Sequence, residues 1–416
     1  MPARDRLLGP ASEMENAMRV CAAVVLAGVC VSGFAGSAMG QGVPSAYKIV
    51  ELPAIAGSTI SSARAINNSG MVVGHSYNGS TWTATVWTPG GAAADLGFLG
   101  ASSGGRALDI NDNGDVLFGA VGASTQVIGW AVRFVDGREE FVEAQGIYDS
   151  PKVYGMNSYG EVCGSVYDEV EEELFAAIWR PTPGGFVQEA PLINPFVFTG
   201  YATAINDAGL VATTQWYATG GSSTFDRRSG AASDGFRGAQ LAQYVDLNNV
   251  GEGVVLHDRD VSVIAATVPG VGDVYPLNCD GTGPFGSYCL ESASVVPSAI
   301  NESAVVVGKS PTVEFDSQGY PYDHNGIYEA IVWSEEVGTQ KCLDLIVEGD
   351  TTGWLLTEAY DINDAGWIVG QGLKDGVVTG YLLIPREPCV ADTNRDGQVT
   401  PADFTAWISA FNAGCD

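Results

Sequence analysis

The chain has 416 residues, of which 46% are hydrophobic and 10% aromatic, while only 16% are charged. That composition excludes a disordered chain, which lacks the apolar surface to fold. The 49 acidic residues against 19 basic ones, a net charge of −30, exclude a chain that holds nucleic acid or an anionic membrane through a general basic field.

The first 40 residues read as a secretory signal. Arg19 precedes an apolar run over 20–34, and small residues follow. Ala38 and Gly40 form a cleavage pair before Gln41, and translation starts at either Met1 or Met18. The run is short for a membrane span, and nothing later is apolar enough for one. The expectation is a secreted protein, extracellular or at the cell surface, with no membrane span in the mature chain and no nucleic-acid partner.

From Tyr47 onward one short motif recurs. Its clearest copies are Ile66-Asn67-Asn68-Ser69-Gly70-Met71-Val72-Val73-Gly74 and Ile362-Asn363-Asp364-Ala365-Gly366-Trp367-Ile368-Val369-Gly370. Seven copies place their asparagines at Asn67, Asn111, Asn157, Asn206, Asn248, Asn301 and Asn363. Asn-x-x-Gly is turn chemistry: the amide side chain caps nearby backbone and glycine accepts positive φ. Each copy therefore predicts a hairpin, and turn capping is a better account of these asparagines than metal or sugar ligation.

A third strand follows in most units, as in Ala84-Thr85-Val86-Trp87, Ala176-Ala177-Ile178-Trp179 and Ala330-Ile331-Val332-Trp333. A Gly-containing turn and a short Leu-containing strand such as Asp95-Leu96 or Leu343-Asp344-Leu345 come next. A period of about 40–50 residues with three to four strands fits propeller blades better than solenoid coils. The predicted fold is all-β, a seven-bladed β-propeller over 41–385 followed by a small calcium loop-helix module over 386–416. The strand Tyr47-Lys48-Ile49-Val50-Glu51-Leu52 is placed to complete the last blade, which removes two exposed sheet edges. The fourth unit is irregular and polar around 217–237, so six or eight blades stay open at this stage.

The order Trp87-Thr88-Pro89-Gly90-Gly91, then Asp95-Leu96-Gly97-Phe98-Leu99-Gly100, then Ile110-Asn111-Asp112-Asn113-Gly114 resembles the HAF-type extracellular repeat. The resemblance spans most of 47–385. It implies an extracellular propeller-like protein and no catalytic residues.

Cys21 and Cys30 fall in the signal, leaving Cys163, Cys279, Cys289, Cys342, Cys389 and Cys415. An even number in an exported protein reads as disulfides. Spacing favours Cys279–Cys289 and Cys389–Cys415, which leaves Cys163–Cys342 by elimination. His75, His257 and His324 stand apart in sequence and read as surface or turn residues. The acidic run over 168–173 reads as a solvated loop, and 316–326 as a blade insertion.

The C-terminal signal is specific. Asp392, Asn394, Asp396, Gln398, Thr400 and Asp403 occupy positions 1, 3, 5, 7, 9 and 12 of a twelve-residue calcium loop, with Gly397 at the sharp turn. Gln398 offers its backbone carbonyl and Asp403 both carboxylate oxygens. Phe404, Trp407, Ile408 and Phe411 then give one apolar helical face. Loop and helix, ending in Gly414-Cys415, resemble one half of a type I dockerin. That resemblance implies calcium as cofactor and a cohesin-like or cell-surface protein as partner, although complete dockerins carry two such loops.

No G-x-S-x-G elbow, H-E-x-x-H helix or phosphate-binding loop occurs in the mature chain. The expected function is non-catalytic binding of a glycan or protein at the cell surface, anchored or sorted by the calcium-binding tail. The alternative is a polysaccharide hydrolase or lyase with carboxylates in the propeller channel. Two or three carboxylates facing one cleft favour the alternative; a lining of Asn, Thr and aliphatic residues favours binding.

Overall fold

The computed structural model describes residues 43–386, less 45, 98–103, 122–126, 147, 190–199, 216–220, 227–230, 234–242, 258–259, 266–274, 277–281, 284–285, 288–295, 316–320, 335–340, 343–346 and 349–350, together with 404, 405 and 408. Its described strands form six four-stranded sheets, one five-stranded sheet and a two-stranded ribbon, nearly all antiparallel. Sheet one, for example, runs Ile60–Ile66, Val72–Tyr77, Trp82–Trp87 and Ala93–Asp95 in simple sequence order. Five further sheets repeat that order, with first strands Gly105–Ile110, Tyr148–Met156, Gly200–Ile205, Gln243–Leu247 and Val296–Ile300.

The seventh sheet departs from it. Trp354–Ile362, Ile368–Lys374 and Val377–Pro385 are joined by Tyr47–Leu52, which pairs antiparallel along six residues of Val377–Pro385. The N-terminal strand thus completes the last sheet as the sequence predicts. The polar fourth unit is a full sheet, because Gly221–Asp226 and Ala231–Ser233 supply its outer strands. Part of the 316–326 segment is strand, since Pro321–Trp333 is a single extended element.

Apolar residues from neighbouring sheets pack face to face. Ala65, Val73 and Ala84 of sheet one meet Ala107, Ile110, Phe118 and Ala131 of sheet two. Leu52, Val369 and Leu382 of sheet seven meet Ala63, Ile66, Val72 and Trp87 of sheet one. The third-strand tryptophans Trp87 and Trp179 are fully buried, and each indole N–H donates to a backbone carbonyl, of Pro53 and Glu143, at 2.8 Å.

The recurring asparagines join the sheets. Every one is buried, at 3–6% exposure. Each Oδ1 accepts the N–H four residues on, at 2.7–3.0 Å, closing its own turn. Each Nδ2 donates to the backbone carbonyl of the next asparagine in the series, at 3.0–3.3 Å, from Asn67 to Asn111 and onward to Asn363. Asn363 donates to Asn67 at 3.1 Å, so the series is a closed cycle. A second series runs beside it: the N–H groups of Asn68, Ser158, Asp207, Asn249, Glu302 and Asp364 donate to Asp112, Asp207, Asn249, Glu302, Asp364 and Asn68. Acidic side chains at this end are therefore spent largely on backbone donors.

The turn glycines have φ between 75° and 89° in six copies. The exception is Ala304, at φ 55°, where a Cβ is strained by about 1–2 kcal/mol. Ala304→Gly should therefore raise stability by about 0.5–1 kcal/mol after the entropic cost of glycine. A urea midpoint measurement checks this, and a fall in the midpoint counts against it.

Cys163 is a free, fully buried thiol in the core between sheets three and four. Burial pushes its pKa well above the ordinary thiol range. The expected Cys163–Cys342 bridge is thus corrected: Cys342 ends the fourth strand of sheet six, far around the cycle from sheet three. Cys279, Cys289, Cys389 and Cys415 lie outside the described residues. Among the described residues no helix is long and apolar enough to cross a membrane.

Candidate functional site

The first strands of successive sheets contact one another, and Trp354–Ile362 of sheet seven contacts Ile60–Ile66 of sheet one. They therefore line the centre of the arrangement, with the asparagine turns at one end. All seven carry a register shift at the same place, between the fourth and second residues before the asparagine. The skipped residues are Arg64, Leu108, Tyr154, Thr203, Val245, Ser298 and Tyr360. A bulge leaves one residue unpaired and re-aims its side chain. Here it turns large polar and aromatic groups toward the neighbouring first strand: the Tyr154 ring lies 5.4 Å from that of Tyr201, and the Arg64 guanidinium 4.0 Å from the Tyr360 ring centre.

The richest cluster spans sheets six, seven, one and two. Lys309 pairs with Glu358 at 3.3 Å and sits over Tyr328. Beyond Tyr360 and Arg64 come His75, Trp82 and Arg106. Trp82 stacks on Tyr77 at 4.3 Å, meets His75 edge-on at 4.7 Å and carries the Arg106 guanidinium at 3.9 Å. His75 is only 4% exposed, which corrects its reading as a surface or turn residue. Burial, and then the charges of Arg64 and Arg106, push its pKa down to about 3, so the imidazole is neutral at physiological pH. His257 and His324 lie in strands.

Three aspartates also converge. Asp109, Asp246 and Asp361 stand two residues before the asparagine, where the other sheets have Ala65, Gly155, Ala204 and Ala299. Burial raises all three pKa values, and their mutual charges raise those of Asp109 and Asp361 further. They are not free carboxylates. Asp109 accepts the N–H of Ile110 and of Met156 in the next sheet, both at 2.8 Å. Asp361 does the same with Ile362 and Ile66, and Asp246 reaches Ile300 at 3.0 Å. They tie adjacent sheets together, a role for which composition gave no sign.

Asp109 carries a pH prediction. Its folded pKa, about 6, lies above the ordinary unfolded value of about 3.9. Between those values the folded state binds a proton that the unfolded state does not, so this group adds stability as pH falls from 7 toward 4. Asp109→Asn should flatten the rise in denaturation midpoint over that window, and parallel curves for variant and parent would refute the assignment.

Of the residues expected to ligate calcium, Asp392, Asn394, Asp396, Gln398, Thr400 and Asp403 all lie outside the described residues. Residues 404, 405 and 408 are helical, where the helix after the loop was expected. The acidic segment 169–172 is an exposed turn, and Asp168 caps it by accepting the N–H of Val170 and Glu171. Among the described residues no three His, Cys, Asp or Glu side chains are grouped to hold a metal.

No protein-family model matches the chain, and no curated protein matches it. Solved structures that resemble it include a streptogramin B lyase, at 11% identity and a TM-score of 0.47, covering 83% of this chain and 100% of that one. An oligogalacturonate lyase from Vibrio parahaemolyticus matches at 8% identity and a TM-score of 0.49, covering 84% and 99%. A gluconolactonase from Xanthomonas campestris matches at 12% identity and a TM-score of 0.38, covering 84% and 99%. Likeness this remote carries no activity from one chain to another.

Proposed function

We propose that the chain is a secreted seven-bladed β-propeller that binds a glycan along the central channel its first strands line. The observation that carries this reading is two partly open aromatic pairs: Tyr154, released by a bulge, beside Tyr201 of the next first strand, and Trp82 beside Tyr77 on the third and second strands of sheet one. Sugar rings stack on such faces, and polar neighbours take their hydroxyl groups. Affinity electrophoresis against a panel of neutral and acidic polysaccharides tests it. Retardation by at least one polymer, lost in a Tyr154→Ala, Trp82→Ala double variant that still melts cooperatively, is expected; migration unaffected by every polymer would overturn it.

A second reading, that the same face cleaves its glycan, is favoured by one observation. A neutral imidazole, a phenol and a Lys–Glu pair stand around two arginines, which is a set of groups able to move protons beside a stabilised anion. Release of reducing ends or unsaturated sugars during the same screen distinguishes it from binding alone.

The calcium loop at 392–403, a tether or sorting tag, completes the proposal. The oxygen spacing supports it, as does the helix that follows. Phe404 is 64% exposed and Ile408 38%, an apolar face open to a cohesin-like or surface partner. Calorimetry of the full chain should register one calcium site that Asp392→Ala, Asp396→Ala abolishes; unchanged heats in that variant would sink the loop as the ligand.

A further inference from the structure

Resting on the glycan-binding reading, we propose that Arg64, Arg106 and His75 form an oxyanion receptor, and that the anion is the carboxylate or sulfate of an acidic sugar. The arginines are the first observation. In a chain with 49 acidic and 19 basic residues, an arginine without a carboxylate is unusual. Arg133, Arg138 and Arg180 each pair with one, Glu139, Glu140 and Glu189 respectively. Arg64 and Arg106 have no carboxylate partner among the described residues. Their guanidinium carbons instead stand over the rings of Tyr360 and Trp82, at 4.0 and 3.9 Å from the ring centres. A guanidinium held this way keeps its N–H edge free for a planar, two-oxygen acceptor.

The two cations are also close enough to oppose one another: burial, and then the Arg64 charge, lower the pKa of Arg106. Like charges brought together without a counter-ion cost stability. An anion between them turns that cost into binding energy.

The third observation is a pair of buried polar atoms without partners. Nδ1 of His75, in a residue 96% removed from solvent, makes no hydrogen bond, and neither does Nε of Arg106. Buried polar atoms are nearly always paired, so two orphans at one place point to a missing partner. Trp82 touches both residues, which brings the orphans to one locus. Tyr77 and Tyr360, each with one ring face not taken by Trp82 or Arg64, suit a sugar ring that carries the anion, whereas a bare inorganic ion would leave them unused.

The test uses the full chain and two readouts. Calorimetry compares a uronate oligosaccharide, its methyl ester, a sulfated dextran oligosaccharide and neutral dextran of equal length. NMR follows the His75 imidazole, identified by its loss in His75→Asn, while sodium sulfate alone is titrated in. The charged sugars should bind at least about tenfold more tightly than the ester or dextran, since a hydrogen bond to a charged group is worth about 1.5–3 kcal/mol. Uronate and sulfate arms separate the two anions. Arg64→Gln and Arg106→Gln should each remove the preference for charged sugar over its ester without lowering the melting temperature, since each relieves the repulsion between the two cations, and Arg64→Lys should keep part of the preference. Sulfate should shift the imidazole signal and raise its pKa. Equal affinity for uronate and ester, or a preference that survives both glutamine variants, overturns the receptor while glycan binding stands. If no sugar binds yet sulfate still shifts His75, the anion site stands and its sugar assignment falls. A silent imidazole with no sugar bound overturns both.

Discussion

Asn363→Ala will lower folding stability by about 2–6 kcal/mol, because it strands two buried backbone groups that each cost about 1–3 kcal/mol when unpaired. The amide oxygen of Asn363 accepts the N–H of Trp367 at 2.9 Å, and its nitrogen donates to the Asn67 carbonyl at 3.1 Å. The second bond joins residues 296 apart in sequence and closes the cycle of sheets. Asn206→Asp separates the two contributions. The carboxylate keeps the acceptor for the Leu210 N–H but turns a negative oxygen toward the Asn248 carbonyl, which now accepts from Asn206 at 3.0 Å. At 3% exposure that charge is poorly solvated, so the variant should be unstable at neutral pH. A raised folded pKa means it recovers stability as pH falls toward the ordinary carboxylate range. Chemical denaturation of both variants, with Asn78→Ala as an exposed-turn control, measures the difference. Equal midpoints for Asn363→Ala and the control would show that the cycle adds nothing beyond turn capping.

The hairpins were legible because their determinants are local. Asn and Gly stand three residues apart, and the N–H of Gly70 returns to the Asn67 carbonyl at 2.9 Å within one turn. The other half of each asparagine was not legible, since its amide nitrogen bonds a carbonyl 42 to 62 residues downstream in six copies and 296 residues upstream in Asn363. The bulges left no trace either. The residues they release, from Arg64 and Leu108 to Ser298 and Tyr360, share no size, charge or shape. The candidate site inherits that silence: Arg64, Trp82 and Arg106 come from two repeat units and meet only when sheets one and two stack. The available signal was arginine at the third or fifth place before the asparagine in consecutive copies, in a chain where arginine is scarce. Histidine spacing misled for a related reason. His75 is solitary in sequence, yet its strand Val72–Tyr77 is buried on both faces, which puts it inside, opposite Ser62 and Ala84.

Gly164→Ala should cost about 3 kcal/mol, at the upper end of overpacking penalties, and its reason explains why the motif ends in glycine. The bulge in Tyr148–Met156 swings the Lys152 carbonyl toward the facing strand, so a Cβ on Gly164 would collide with that oxygen and stand 2.9 Å from the carbonyl carbon and 3.0 Å from Val153 Cα. All three neighbours are backbone and cannot rotate away. Gly74, Gly308 and Gly370 face the carbonyls of Ser62, Val296 and Glu358 in the same manner. The equivalent positions of the other sheets hold Phe118, Thr213 and Val255, so the demand belongs to four sheets and not to the repeat as a whole. Gly155→Ala is the matched control. Its nearest atoms, Asp109 Oδ2 and Cys163 Sγ, lie 3.8 Å away, ordinary contact distance, and alanine already stands there in sheets one, four and six. That variant should stay within about 0.5 kcal/mol of the parent. Thermal melts in which both substitutions cost the same would mean that the bulge yields to a side chain. The release of Arg64, Tyr154 and Tyr360 would then lack the rigid backbone that the proposed binding face requires.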